Sequence, residues 1–168
     1  MEQMIVKDNG LVLRMAEEKD CQVILDLIKE LAEYEKMLDK VTGTIETLRK
    51  SLFEKKAAQV ILAEYEDKVI GYALYFYNFS TFLGKAGIYL EDIYVKPEYR
   101  GKSFGKTLLS QVAAIAKDND CDRVEWSCLN WNKPSIDFYE SIGAVHMEEW
   151  RGYRLTTQAI AELAKGMA

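Results

Sequence analysis

The chain has 168 residues, 49% of them hydrophobic, and its 22 Lys and Arg against 27 Asp and Glu leave a net charge of −5. That length and apolar content suit one folded domain, residues 1–168, with a substantial core, and exclude a disordered chain. The acid excess argues against nucleic acid as the main partner and suits cationic small molecules.

Cys21, Cys121 and Cys128 form no CxxC pair, and His146 is the single histidine. No zinc ligand set is expected from these, and no metal; buried free thiols in a reducing compartment fit better. The segment from Met1 to Asp8 has no long apolar run behind a basic region, so no signal peptide is expected. No stretch approaches the roughly 18 apolar residues of a membrane span. The expected setting is the cytoplasm.

In chain order, Leu11 to Met15 reads as a short strand. Cys21 to Tyr34 is an amphipathic helix with Ile24, Leu27, Ile28 and Leu31 on one face and Asp20 as its cap. Thr44 to Phe53 reads as a second helix, capped by Thr44. Strands are predicted over Ala58 to Glu64 and Val69 to Tyr77, paired as a hairpin across Glu66-Asp67-Lys68, and over Gly87 to Val95. A helix from about Gly105 to Asn119 turns Leu108, Leu109, Val112 and Ile115 inward. Arg123 to Cys128 is the next strand, and Pro134 to Ser141 a short helix ended by Gly143. A strand near Tyr153-Arg154-Leu155 and a helix from Thr157 to Lys165 complete the set. An antiparallel meander followed by strand–helix–strand implies an α/β fold: a mixed, mostly antiparallel sheet of about six to seven strands with helices on both faces. The strands Gly87–Val95 and Arg123–Cys128 should run parallel through a right-handed crossover.

Between the third of these strands and its helix lies Tyr99-Arg100-Gly101-Lys102-Ser103-Phe104-Gly105-Lys106. A basic, glycine-containing loop opening a helix aims backbone N–H groups and the positive end of the helix dipole at one point, which suits a pyrophosphate. Gly105-Lys106-Thr107 raises a nucleotide-binding P-loop as the rival. That loop needs a glycine at position 100, where this chain has arginine, and Gly101 is one residue too close. Downstream, Trp131-Asn132-Lys133-Pro134-Ser135-Ile136-Asp137-Phe138-Tyr139 and Gly143-Ala144 form a second distinctive stretch.

Together the two stretches resemble the acetyl-CoA site of the GNAT acetyltransferase superfamily, whose loop reads Gln/Arg-x-x-Gly-x-Gly/Ala; Ser103 replaces the middle glycine. A serine there costs about 1 kcal/mol if φ must be positive. The resemblance covers nearly the whole chain and is closest to the spermidine/spermine and thialysine acetyltransferases, on the strength of Tyr89-Leu90-Glu91-Asp92 running into Tyr99-Arg100-Gly101. It implies acetyl-CoA as cosubstrate, with Ile93, Tyr94, Val95, Arg100, Gly101, Lys102, Ser103, Phe104, Gly105, Lys106, Asn132, Ser135 and Tyr139 around it. It also implies a homodimer, and direct acetyl transfer to a primary amine.

By the same resemblance Tyr139 protonates the departing thiolate and Glu91 relays the amine proton, while Asp92 and Glu35 line the substrate side. Glu91 and Asp92, adjacent on a strand, are expected to face opposite sides of the sheet. The polyamine enzymes carry Asp-Pro-Trp, and the thialysine branch Ser-Thr-Trp, where this chain has Ser80-Thr81-Phe82. Losing that carboxylate favours a lysine-like amine or short diamine over spermine, with Ser80, Thr81 and Phe82 as substrate contacts. A protein lysine or N-terminal acetyltransferase and a non-catalytic CoA-binding module are the alternatives; the aromatic segment Tyr72 to Phe82 speaks for a closed mouth rather than an open groove.

Overall fold

The computed structural model describes the backbone of residues 4–8 and all of residues 10–166. They fall into two compact units, the first ending at Ser127 and the second beginning at Cys128. The first holds a six-stranded sheet in the order β1-β2-β3-β4-β5-β6. The strands are β1 (Met4–Asp8), β2 (Leu11–Met15), β3 (Gln59–Tyr65), β4 (Lys68–Ser80), β5 (Lys85–Val95) and β6 (Val124–Glu125). All neighbours pair antiparallel except β5 and β6, which are parallel.

Helix α1 (Cys21–Tyr34) covers one face. Its Ile24 and Leu27 pack with Leu52, Val60, Leu62, Tyr72 and Tyr94 in one buried cluster. At about 1.5–3 kcal/mol per buried large apolar side chain, this stripe holds the helix down. The other face takes α3 (Phe104–Asp118), whose Leu108, Leu109 and Val112 are buried. The start of α3 is anchored by Phe104, whose ring lies 5.0 Å from that of Tyr65. In the second unit, α4 (Lys133–Ser141) and α5 (Thr157–Lys165) are the regular elements.

Most predicted elements stand where expected, including the Thr44 cap. Thr44 Oγ1 accepts the Thr47 N–H at 3.2 Å and opens α2 (Ile45–Arg49), which runs on into one wider π turn. Four expectations need correction. Strand β1 was not foreseen. Asp20 does not cap α1 with its side chain, because a 3₁₀ turn leads straight into the helix. Its carboxylate instead takes Arg14 Nη1 at 2.7 Å and Nη2 at 3.0 Å, and the Glu17 N–H at 2.7 Å. The strand expected to run to Cys128 is paired only over Val124–Glu125, since beyond them it leaves β5. No strand forms at Tyr153 to Leu155, where Tyr153 is 91% exposed. Of the thiols, Cys21 alone is fully buried; Cys121 and Cys128 are half-buried, and all three are free.

Arg14 and Asp20 are both buried, and Arg14 Nε also bonds Glu64 at 2.8 Å. Burial pushes the Asp20 carboxyl up, but the bonds from Arg14 and Glu17 outweigh it and hold the group below its usual range. Removing one partner of such a pair leaves a buried charge unmatched, at a cost of about 3 kcal/mol. We expect Asp20→Ala to lose about that much in urea unfolding at pH 7. The gap should shrink on acidification, because a carboxyl held low gives up its contribution as pH falls through its folded-state pKa. An equal loss at pH 7 and pH 3 would show that charge is not the cause.

Candidate active site

The centre of the first unit is the long β4–β5 hairpin, and its decisive feature is one extra residue. Leu74 pairs with Asp92 and Tyr75 with Leu90, so Glu91 bulges out unpaired. The backbone direction switches there. Ile88 donates its N–H to Arg123 O beside β6, at 3.0 Å. Lys96 donates to Ile70 O at the head of β4, at 2.8 Å. In a regular strand these two even-numbered residues would face the same neighbour. The bulge shifts the phase, so Ile93 and Val95 turn their N–H groups away from β4.

On that edge β6 has already left: its pairing with β5 stops at Ile88–Val124 and Tyr89–Glu125. The two strands diverge, and the N–H groups of Ile93 and Val95 face the opening. A carbonyl oxygen placed there would meet one of these donors, and the other, roughly 6.6 Å further along the edge, is left for a second acceptor of an extended ligand. Gly71 makes the hairpin close enough: a Cβ on it would overlap Tyr94 O and lie 3.1 Å from Val95 Cα.

The loop after β5 is shaped by two left-handed residues, Gly101 at φ 80° and Ser103 at φ 63°. Ser103 stands at the N-cap of α3 without a side-chain capping bond. The first-turn N–H groups of Phe104, Gly105 and Lys106 have no intrahelical acceptor. A Cβ on Gly101 would touch nothing within 4 Å, and one on Gly105 would meet only Val95 Cγ2 at 4.0 Å, so the cradle is open. This geometry fits a diphosphate: a ring of backbone donors, the positive helix end, and the exposed Lys102 and Lys106. Lys102 Nζ rests 4.9 Å from the Tyr65 ring centre.

Arg100 works from beneath the loop. Its Nε donates to Val95 O at 3.0 Å, and its guanidinium stacks 4.8 Å from the Tyr34 ring and 5.6 Å from the Tyr94 ring. It thereby ties the loop to the end of α1. Sequence reasoning treated Arg100 as a contact to the cofactor; its bracing role depends on Tyr34, 66 positions away in the chain, and has no local signal.

Below the bulge, Asp92 feels the charge of Glu35. Asp92 shares a sheet face with Leu74, Tyr72 and Tyr94. Its Oδ2 accepts the Tyr72 hydroxyl at 2.9 Å. Burial pushes the Asp92 carboxyl from 3.8 up to about 6; the Tyr72 bond opposes the rise, and Glu91 and Glu35 add to it. Burial also pushes Tyr72 well above its usual range, with Asp92 and Glu35 reinforcing the shift. Glu35 sits at the end of α1, which stops in a turn with Lys36 at φ 60° and Met37 N–H on Ala32 O at 2.7 Å. A carboxylate at the negative end of a helix is unfavourable, and burial raises Glu35 further. Glu91, in contrast, is exposed on the bulge. The expected strict alternation of Glu91 and Asp92 across the sheet is therefore broken by the bulge. A carboxyl near 6 is a stronger base than one near 3.8. Against an alkylammonium near 10.4 the uphill proton transfer becomes about 3 kcal/mol smaller.

The hairpin tip does not join this group. Ser80 is buried; its Oγ accepts the Leu83 N–H at 3.3 Å and its carbonyl the Gly84 N–H at 2.8 Å, closing the turn. Phe82 is 93% exposed. Ser80 pairs with Lys85, and from there to Asp92 is roughly 20 Å of strand. Ser80, Thr81 and Phe82, expected as substrate contacts, therefore lie at the far end of the hairpin from Asp92 within one chain.

In the second unit, Asn132 is buried at the N-cap of α4, and Ser135 lies in its first turn. Tyr139 is half-buried, its ring 5.5 Å from that of Phe138. The helix ends as Gly143 predicted: with Gly143 at φ 90°, its N–H bonds Glu140 O at 3.0 Å and the Ala144 N–H bonds Tyr139 O at 3.0 Å. This termination fixes the backbone turn that carries Tyr139. Among the described residues, no group of His, Cys, Asp and Glu could hold a metal ion, and no helix is long and apolar enough to cross a membrane.

A bulged strand with open N–H groups, leading into an anion-cradling loop and helix, defines an acyltransfer class of protein. The sequence pattern of the acetyltransferase (GNAT) family matches residues 21–144, and the chain belongs to that family. It is an N-acetyltransferase of the branch that its most similar relatives occupy. Bos taurus thialysine N-epsilon-acetyltransferase is 41% identical over 166 residues, covering 92% of this chain and 97% of the relative. Human spermidine/spermine N(1)-acetyltransferase-like protein 1 is 32% identical over 163 residues, covering 90% of this chain and 23% of the relative. Among solved structures, an integron cassette protein of V. cholerae superposes with a TM-score of 0.79 at 27% identity, covering 94% of this chain and 99% of that one.

Ser103 in a left-handed conformation is strained, since a side chain there costs about 1 kcal/mol or more, partly offset by the unfolded-state freedom that a glycine adds. We expect Ser103→Gly to stabilise the chain by about 0.5 kcal/mol in urea unfolding. A loss of stability would show that the hydroxyl contributes more than the strain costs.

Proposed function

We propose that this enzyme transfers the acetyl group of acetyl-CoA to a primary amine of a small cationic molecule, a thialysine- or lysine-like amine or a short diamine. The observation that carries this reading is the carboxylate pair Asp92 and Glu35 beside the bulge whose open N–H groups belong to Ile93 and Val95. Sequence likeness to thialysine N-epsilon-acetyltransferases, up to 41% identity, supports the choice of amine.

The loop from Arg100 to Lys106 would hold the diphosphate, with Asn132 and Ser135 contacting the pantetheine arm. Acetyl-CoA supplies an activated acetyl group as a thioester. The residues of the chain do the rest. The ammonium gives its proton to the carboxylates at the bulge, with exposed Glu91 as the relay to water. The nitrogen lone pair then forms the new C–N bond at the thioester carbon while one of the open N–H groups of Ile93 and Val95 donates to the oxygen. The C–S bond breaks, and Tyr139 donates to the leaving sulfur. A free tyrosine near 10 against a thiol near 8.5 makes full transfer mildly uphill, so hydrogen bonding to the thiolate carries much of the effect.

The reading treats the chain as one catalytic domain, which the continuous family match across residues 21–144 supports. The setting proposed is cytoplasmic, consistent with three free thiols. We also propose a homodimer, on the strength of an exposed apolar series at Val145, Met147, Trp150, Leu155, Ile160 and Leu163. Sedimentation at tens of micromolar should give the mass of two chains; the mass of one would rule the dimer out.

The functional test is release of free CoA with thialysine, lysine, ornithine, short diamines, spermidine and spermine. We expect kcat/KM to be highest for lysine-like amines, and Tyr139→Phe to lower kcat about 10²-fold with little change in acetyl-CoA affinity. No turnover with any amine, but turnover of a peptide lysine, would move the assignment to a protein substrate.

A further inference from the structure

We propose that Tyr72 is a positioning residue for the proton acceptor: its hydroxyl clamps one oxygen of Asp92 and leaves the other to take the amine proton, so that Asp92 rather than Glu91 is the first acceptor. This rests on the acetyl-transfer reading above and names the group within that site that acts first.

The geometry is specific. Tyr72 is completely buried on β4, within the cluster that α1 covers. A phenol has one proton to donate, and here it goes to Asp92 Oδ2 at 2.9 Å. Oδ1 is the oxygen Tyr72 does not engage. The neighbouring phenol, Tyr94, is committed elsewhere, donating to Glu30 Oε2 at 3.3 Å. Among the described residues, the titratable groups that act on Asp92 and Tyr72 are Glu35 from the end of α1 and Glu91 and Tyr94 on the strand of Asp92, with Tyr72 itself from β4. Among these the two carboxylates hinder ionisation of Asp92, and the Tyr72 bond favours it. Glu91 stands on the exposed bulge. The proton passes from the ammonium to Asp92 Oδ1, leaving a neutral amine and a carboxylic acid, and then by way of Glu91 to water.

The direction of the pH effect follows. Asp92 accepts a proton only when ionised, so kcat/KM falls as pH drops through its pKa, about 6. Tyr72→Phe removes the bond that favours the ionised form, so the fall must begin at higher pH. We expect the acid limb to move up by about one unit, giving about fivefold lower kcat/KM at pH 6, near-parity at pH 8.5 and an unchanged KM for acetyl-CoA. A merely structural role for Tyr72 would lower activity at every pH alike. Glu91→Gln should lower kcat but leave the acid limb in place; if the limb disappears instead, Glu91 is the first acceptor and the proposal fails.

Titration of the Asp92 carboxyl carbon by NMR, in the parent and in Tyr72→Phe, reads the same effect without turnover. It separates the two ideas: an enzyme that acetylates no amine sinks the functional reading, whereas equal Asp92 titration in both proteins sinks the role of Tyr72. If Tyr72→Phe does not fold, 3-fluorotyrosine at position 72 strengthens the donor and should move the titration down; no movement overturns the proposal.

Discussion

One unpaired residue, Glu91, governs the site. A strand without it would keep a single phase from Ile88 to Lys96, and the amides of Ile93 and Val95 would be spent on β4. With it, those amides are released to the side where β6 has departed. The same insertion sends Asp92 to the face beneath α1, against Tyr72, while Glu91 stays in water. The open amide edge and the placement of Asp92 against Tyr72 are thus two consequences of one register shift.

The surrounding structure is organised to hold this shift in place. Gly71 lets β4 approach β5 where any side chain would strike Tyr94 O. Arg100 reaches back from the anion loop to Val95 O and lies against Tyr34, so the loop, the strand end and the last turn of α1 are fastened at one guanidinium. Glu35 follows Tyr34 directly, which brings its carboxylate under the same fastening. Stability is lost at these points: a left-handed serine in the loop, a left-handed lysine after Glu35, and half-buried carboxyls raised by their surroundings. Local strain and unfavourable charge of this kind cluster at functional sites.

Much of this was legible in the chain. Helices Cys21–Tyr34 and Thr157–Lys165 follow from periodic apolar residues, and the end of α4 from Gly143, because a left-handed helix stop selects glycine through local sterics alone. The basic loop, the acidic pair and Tyr139 stand out because their chemistry is compact in sequence. Asp20 misled, because a residue suited to capping found a stronger partner in Arg14, which only the packed structure supplies. The hairpin tip shows another limit: Ser80, Thr81 and Phe82 read as a substrate contact, and only the register reveals that seven residues of extended strand separate them from Asp92.

The amino-acid order by itself determined the elements, the family resemblance and the residue types available for chemistry, since helix periodicity, glycine sterics and a phosphate-binding loop are short-range properties. Tertiary structure alone decided which carboxylate is buried, which phenol bonds it, and which amides are left without a partner. Those depend on a bulge opposite another strand and on where β6 leaves the sheet, and pairing between strands is a long-range choice that no local stretch encodes.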